Sequence, residues 1–259
     1  MPIDLSGKTA LVCGSTQGIG LATALEMAKL NARVILMARN ESKLKELVQA
    51  LAGKGHAYLV ADFSKPEEVK KAIEDFISQG NTIDILVNNT GGPAAGPALT
   101  ATAEQFLSAF QSHLICNQYL VQAVQPGMKN KGYGRIINVI STSVKVPIFG
   151  LGVSNTIRGA VANWAKTLSL ELAPFGITVN NVLPGATKTG RLEAIISNKA
   201  EKNQKALEEV SEEMLAEIPA KRFAQPEEVG YAICFLASPA AGYINGTNLP
   251  VDGGRTGSL

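Results

Sequence analysis

The stretch Thr9-Ala-Leu-Val-Cys13-Gly14-Ser15-Thr16-Gln17-Gly18-Ile19-Gly20 joins a short apolar run to a glycine-rich turn, and Leu21 to Leu30 continue from it with helical character. Locally this reads as strand, turn, helix. A glycine string alone is weak evidence, because glycine serves any tight turn. Between a strand and a helix it acquires a chemistry: the glycines let a ligand approach the backbone closely, while the first-turn amides and the helix dipole attract an anion. The expected ligand group is the diphosphate of a dinucleotide, contacted by Gly14, Ser15, Thr16, Gln17, Gly18, Ile19 and Gly20.

Outward from this turn, short apolar runs alternate with longer helical patterns. The runs are Thr9–Cys13, Arg33–Met37, His56–Val60, Ile83–Asn88, Arg135–Ile140, Ile177–Leu183 and Asn248–Val251. Helical segments lie at Ile19–Leu30, Ser42–Ala52, Pro66–Gln79, Thr102–Asn130, Asn155–Ala173 and Pro226–Leu236, with Asn40 and Ser64 as expected capping residues. Continuously apolar strands separated by helices belong to a parallel sheet covered on both faces. The fold class is therefore α/β with a doubly wound sheet, and residues 1–259 are expected to form one domain.

One stretch departs from the alternation. From Gly190 to Lys221 there is no strand, and apolar residues recur at loosely helical spacing among Lys, Glu and Ala. In such sheets ligands sit beyond the carboxyl ends of the strands, and this excursion leaves from one of them. A helical lid over residues 187–221 is expected, with a solvated surface helix pair as the alternative.

Composition narrows the function classes. The 24 Lys and Arg nearly balance 22 Asp and Glu, giving a formal +2 with the charges scattered, so nucleic acid is not an expected partner. No run of about 18 uncharged apolar residues occurs and the N-terminus lacks a basic start before an apolar core, so a cytoplasmic protein without a membrane partner is expected. Cys13, Cys116 and Cys234 are far apart and without metal-ligand spacing, so reduced core thiols and no metal are expected.

The spacing Gly14-x3-Gly18-x-Gly20 resembles the short-chain dehydrogenase/reductase family, and further motifs extend the likeness over nearly the whole chain. They are Asp62, Asn88-Asn89-Thr90-Gly91, Gly134-Arg-Ile-Ile-Asn-Val139 with Ser141, Pro184-Gly185 with Thr189, and Val251-Asp252-Gly253-Gly254. The resemblance implies a Rossmann-type fold and a nicotinamide cofactor. It places Asp62 and Phe63 beside the adenine, Asn89 and Gly91 by the turn and ribose, and Pro184, Gly185 and Ala186 to Thr189, with Thr187 among them, toward the nicotinamide. Ala38-Arg39-Asn40 stands where relatives that prefer NAD carry an acid. Arg39 offers a fixed planar donor fork, so NADP is expected over NAD.

The catalytic half departs from the family. The family's Tyr stands thirteen residues after its Ser and its Lys four later; counting from Ser141 gives Ser154 and Arg158. The body thus resembles 3-oxoacyl-acyl-carrier-protein reductases, but the Tyr-x-x-x-Lys pair is missing. The position of the family's Asn falls on His113. A Ser hydroxyl stops roughly 4 Å short of a Tyr hydroxyl. Arg158 can bind ribose hydroxyls and supply charge, but it cannot relay a proton as a lysine might. His113, the titratable group near neutral pH, is the expected proton donor with Ser141 orienting the carbonyl; the alternative is a histidine packed inside a helix.

Two functions stay open: an NADP(H)-dependent oxidoreductase acting on a carbonyl or alcohol, or a weakly active NADP(H)-binding pseudoenzyme serving as sensor or scaffold. A general acid contributes about 3 to 5 kcal/mol and positioning about 7 to 11, so losing the Tyr need not abolish turnover. Apolar residues around the helices after Thr102 and Ser154 (Phe106, Phe110, Leu114, Leu120, Val124; Val161, Trp164, Leu168, Leu172) suggest a homo-oligomer, and relatives form tetramers or dimers through these helices.

Overall fold

The computed structural model describes residues 3–258. Seven parallel strands, β1 (Thr9–Cys13), β2 (Arg33–Ala38), β3 (Ala57–Val60), β4 (Ile85–Asn88), β5 (Gly134–Val139), β6 (Ile177–Pro184) and β7 (Asn248–Val251), form one sheet in the order 3-2-1-4-5-6-7. Side chains alternate between its faces. Ala10, Val12, Val34, Leu36, Ile85 and Val87 pack on one side with helices α1 (Gly18–Lys29), α2 (Glu41–Ala50) and α9 (Pro226–Ala237). Leu11, Ile35, Leu86 and Ile136 pack on the other with α3 (Pro66–Ser78), α5 (Cys116–Lys131) and α6 (Gly152–Leu172). The winding reverses between β1 and β4, which opens a crevice at their carboxyl ends.

Three local expectations are refined. Asn40 caps α2 by accepting from the Lys43 amide, whereas Ser64 caps nothing: α3 starts after Lys65 with Pro66 at its first position, and the Ser64 amide instead donates to Asp62. The single helix expected over Thr102–Asn130 is α4 (Ala103–Phe110) and α5 joined by a π-helical turn at Gln111–Ile115. The strandless excursion folds as α7 (Gly190–Asn203) and α8 (Leu207–Ala216), closed on a small core of Leu192, Ala200, Val210 and Met214.

No helix among the described residues is long and apolar enough to cross a membrane. All three cysteines are free and buried, and burial pushes the thiols of Cys116 and Cys234 up to about 12, so they are inert core residues.

Polar side chains lock the register where the sheet is otherwise apolar. Asn88, Asn138, Asn181 and Asn248 are direct partners across β4, β5, β6 and β7. Asn88 Nδ2 donates to Asn138 Oδ1 at 2.8 Å, Asn138 Nδ2 to Asn181 Oδ1 at 2.9 Å, and Asn181 Nδ2 to Asn248 Oδ1 at 2.8 Å. A slip of one residue would break every rung and bury unpaired amides. Replacing the middle rung, Asn138→Leu, leaves a donor and an acceptor stranded and is expected to lower unfolding free energy by about 2–4 kcal/mol in urea titrations; a loss under about 1 kcal/mol would show that the ladder carries little of the stability.

Candidate active site

The crevice is a cleft of about 970 Å³, bordered at one end by Gly14, Arg39 and Asp62 and at the other by Ser141, Ser154 and Arg158. Its floor is built at the strand reversal. Asn89, the residue after β4, reaches across to β1 and donates to the carbonyls of Cys13 (3.2 Å) and Gly14 (3.4 Å). Gly14 has φ +58°, and a Cβ there would lie 2.7 Å from Asn89. At Gly20 a Cβ would come within 2.3 Å of the Gly14 carbonyl. These two glycines let α1 start hard against the turn, so its first-turn amides face the cleft.

The residues expected to face a dinucleotide divide into two groups. Gly14, Thr16, Gln17, Gly18, Ile19, Arg39, Asp62, Phe63, Asn89, Gly91, Pro184, Gly185, Thr187 and Thr189 all border the cleft, as does Arg158. Ser15 and Gly20 do not. The Ser15 hydroxyl is fully buried and turned toward the Met37 carbonyl at 3.5 Å, and Gly20 serves the packing of the turn. Two further residues of the Arg39 end, Asn40 and Lys43, line it as well. Lys43 is a second basic group beside Arg39. It stands four residues after Arg39 in the first turn of α2, and that spacing is the signal that could have revealed it.

Asp62 is the acidic residue of the lining. Its carboxyl is held below the usual range, first by the Ser64 amide and with help from nearby Arg39 and Lys65. At the far end the loops 90–100 and 148–152 are stitched together by Gly96 N to Gly150 O (2.7 Å) and Gly152 N to Gly96 O (2.9 Å). Helix α7 supplies the opposite wall through Arg191, Leu192, Ile195 and Lys199.

A family model described as enoyl-(acyl carrier protein) reductase matches residues 14–256. The 3-oxoacyl-[acyl-carrier-protein] reductase FabG of Vibrio cholerae is 35% identical, covering 97% of this chain and 98% of that protein. The chain belongs to the short-chain dehydrogenase/reductase family. The NADPH-dependent reductase BacG of Bacillus subtilis is 29% identical over 98% of this chain and its own full length. Among solved structures, L-sorbose reductase from Gluconobacter frateurii, complexed with NADPH and L-sorbose, superposes with a TM-score of 0.93 at 31% identity, covering both chains fully.

Within this short-chain dehydrogenase/reductase frame, Ser141 follows β5 and its hydroxyl accepts from the Ser143 amide at 3.1 Å. Ser154 and Arg158 stand one turn apart on α6, both about 8% exposed, and both border the cleft. Arg158 Nη1 donates to the Val139 carbonyl at 2.9 Å. Burial, and secondarily the charge of Arg191, draws its guanidinium down to about 10, so it stays protonated at neutral pH.

His113 is corrected as an acid. It is 3% exposed, sits in the π-helical turn, and borders a recess formed by Gly91–Pro97 and Val153 instead of the main cleft. Burial first, and then the charge of Arg158, drive its imidazole down to about 2, against a smaller opposing effect of the Gly91 backbone. It is a neutral ring at physiological pH and has no imidazolium proton to give. Alignment alone located the residue but could not foresee Arg191, which lies on the excursion and enters this neighbourhood from across the cleft.

The sign of the resulting pH dependence is fixed. The folded state refuses a proton that unfolded His113 accepts below about pH 6.5, so stability is lost as pH falls from 6.5, by up to about 1.4 kcal/mol per unit. His113→Gln is expected to flatten the acid limb of the urea midpoint between about pH 6.5 and 4. Parallel acid limbs in the two proteins would contradict a buried neutral imidazole.

Proposed function

We propose that this chain is an NADP(H)-dependent oxidoreductase that interconverts a carbonyl and an alcohol with a non-standard catalytic centre. The observation that carries the reading is the unbroken cleft from the glycine turn, past Arg39 and Lys43, to Ser141 and Arg158. Its dimensions and chemistry fit a phosphorylated dinucleotide: a glycine turn that sets the start of α1 against the cleft, and two cations at the end where a 2′-phosphate would lie. The relatives named NADPH-dependent reductase BacG and L-sorbose reductase with NADPH support the same cofactor.

Bound there, a reduced nicotinamide supplies hydride. The Ser141 and Ser154 hydroxyls orient the carbonyl oxygen, and the fixed charge of Arg158 stabilises the negative charge growing on it. Hydride from a nicotinamide held there would form the new C–H bond, and water in the open cleft would supply the proton that balances it at the oxygen. Helices α7 and α8 act as the substrate lid. Copies of the chain associate in the cytoplasm through α4 and α6, where Leu107, Phe110 and Leu170 are exposed, while Leu120, Val124, Val161 and Leu172 are used up in the protein's own core.

One observation favours a second reading, a cofactor-binding pseudoenzyme. Neither His113 nor Arg158 at the reacting end titrates near neutral pH. Incubation with NADPH and a panel of aldehydes, ketones, oxo acids and acyl thioesters separates the two. Loss of reduced-nicotinamide absorbance with any of them supports the enzyme; tight binding without turnover supports the pseudoenzyme.

The cofactor end makes its own prediction. Arg39→Asp is expected to weaken NADPH binding about 10- to 100-fold, the value of a charge-assisted contact, and to narrow or reverse the preference over NADH. Fluorescence titration of both cofactors measures it, and unchanged NADPH affinity would remove Arg39 from cofactor selection.

A further inference from the structure

Several arginines elsewhere in this protein are provided with partners. Arg222 pairs with Glu228 and Arg255 with Glu217. Arg135, 5% exposed, is the nearest analogue of a buried structural arginine: it donates to the carbonyls of Ser238, Gly134 and Gly176 and stacks on the Tyr133 ring. Arg158 is as deeply placed and is left short. Its Nη1 reaches the Val139 carbonyl, while its buried Nε has no hydrogen-bond partner among the described residues.

A second guanidinium comes to the same place. Arg191, in the first turn of α7, lies against Gly92, where a Cβ would be 3.4 Å from its Nη2, and that nitrogen donates to the Pro93 carbonyl at 2.7 Å. Both arginines therefore spend hydrogen bonds on neutral carbonyls. No Asp or Glu borders this end of the cleft; the acid of the lining, Asp62, is at the Arg39 end. The charge of Arg191 bears on Arg158, the charges of both bear on His113, and burial, partial for Arg191, lowers both guanidinium groups. Arg191 is exposed, but Arg158 is a buried cation without a counter-charge, which is costly to a fold. What offsets the cost in such sites is a ligand of opposite charge.

We propose that the substrate carries a carboxylate, seated between Arg158 and Arg191 within a few bonds of the carbon that Ser141 faces, so that the protein acts on an oxo acid or the corresponding hydroxy acid. The inference rests on the oxidoreductase reading and adds the substrate class. Arg158 takes the anion from the α6 side, and Arg191 from the lid side, which also couples substrate charge to the position of α7. Ser141 and Ser154 orient the oxygen that is reduced, which in an oxo acid lies next to the carboxylate and so within reach of the same Arg158 charge.

The test is calorimetric and needs no turnover. Protein saturated with NADP is titrated with 2-oxo acids bearing methyl, isobutyl and benzyl side chains, each matched to its methyl ester, which keeps the shape and removes the charge. At least one acid is expected to bind about 10- to 100-fold more tightly than its ester. Arg191→Gln, a change at an exposed position, should remove that preference while leaving NADP affinity within a few-fold, and Arg191→Lys should restore part of it. Esters binding as well as acids, or Arg191→Gln retaining the preference, overturns the inference and leaves the oxidoreductase reading intact. Displacement of NADP by the acids also overturns it, since the arginines would then serve a cofactor phosphate. Failure of NADP itself to bind defeats the functional reading instead, and the same acid and ester titrations on the cofactor-free chain then decide the inference.

Discussion

The asparagine ladder across β4, β5, β6 and β7 is the constraint on which the site depends. Each rung precedes a segment that borders the cleft: Asn88 leads into Asn89–Gly92, Asn138 into Ser141, Asn181 into Pro184–Thr187, and Asn248 by way of β7 toward Arg255. A parallel sheet of Val, Ile and Leu has little in its side chains to prefer one register over another, because apolar contact is non-directional. Amide hydrogen bonds are directional and expensive to strand, so they set the axial position of four strands at once. The loops inherit that alignment. Asn89 then ties the ladder's edge strand to the Cys13–Gly14 carbonyls, and the glycine turn is held at the same level as the reacting end.

The electrostatics of the cleft follow from which groups were placed at its two ends. At the Arg39 end the cations are exposed and face solvent beside Asp62, so their charges are screened and adaptable. At the Arg158 end burial removes that screening. A titratable group there responds by giving up its charge, as His113 does, whereas a guanidinium keeps its charge at neutral pH. The neutrality of His113 and the persistence of the arginine charges are thus one phenomenon. Lysine at 158 would relieve the same stress by losing its proton, which is why Arg for Lys at this position changes the chemistry and is not a conservative exchange.

Much of this could be read from the chain and some could not, for physical reasons. The alternation of apolar runs with helical patterns led to the right sheet because the central strands β1, β2, β4, β5 and β6 are buried on both faces and so carry an unbroken signal. The glycine turn was legible because Gly14 and Gly20 have no substitute at such close approach. Ser64 misled as a cap because Pro66 can open α3 without a side-chain acceptor, its missing N–H needing none. The π-helical turn at Gln111–Ile115 has no compositional mark, and it decides that His113 is enclosed beside Gly91. Ser15 and Gly20 were placed in the right motif, but a motif does not say which of its members point inward. Arg191 was invisible for the most general reason: its role comes from packing between segments about a hundred residues apart, and periodicity reports only local order.

In the proposed centre, where Ser154 and Arg158 stand for the family's Tyr and Lys, catalytic energy comes from a different source. The two positions are one helical turn apart on α6, so the shorter side chain at 154 leaves room above the face that Arg158 presents. A proton donor works only as the transition state is reached, which makes it efficient. A permanent cation attracts negative charge that is already present in a bound acid, and such uniform binding lowers the ground state along with the transition state. Only the charge that develops on the reduced oxygen is stabilised differentially. Most of the rate in such a site must therefore come from holding the nicotinamide and the carbonyl in line, a term of about 7 to 11 kcal/mol against about 3 to 5 for a general acid. The arginines favour this by fixing one end of a small substrate while the ladder and the glycine turn fix the other partner. In the centre proposed for this chain, positioning takes the place of proton transfer as the principal use of the side chains.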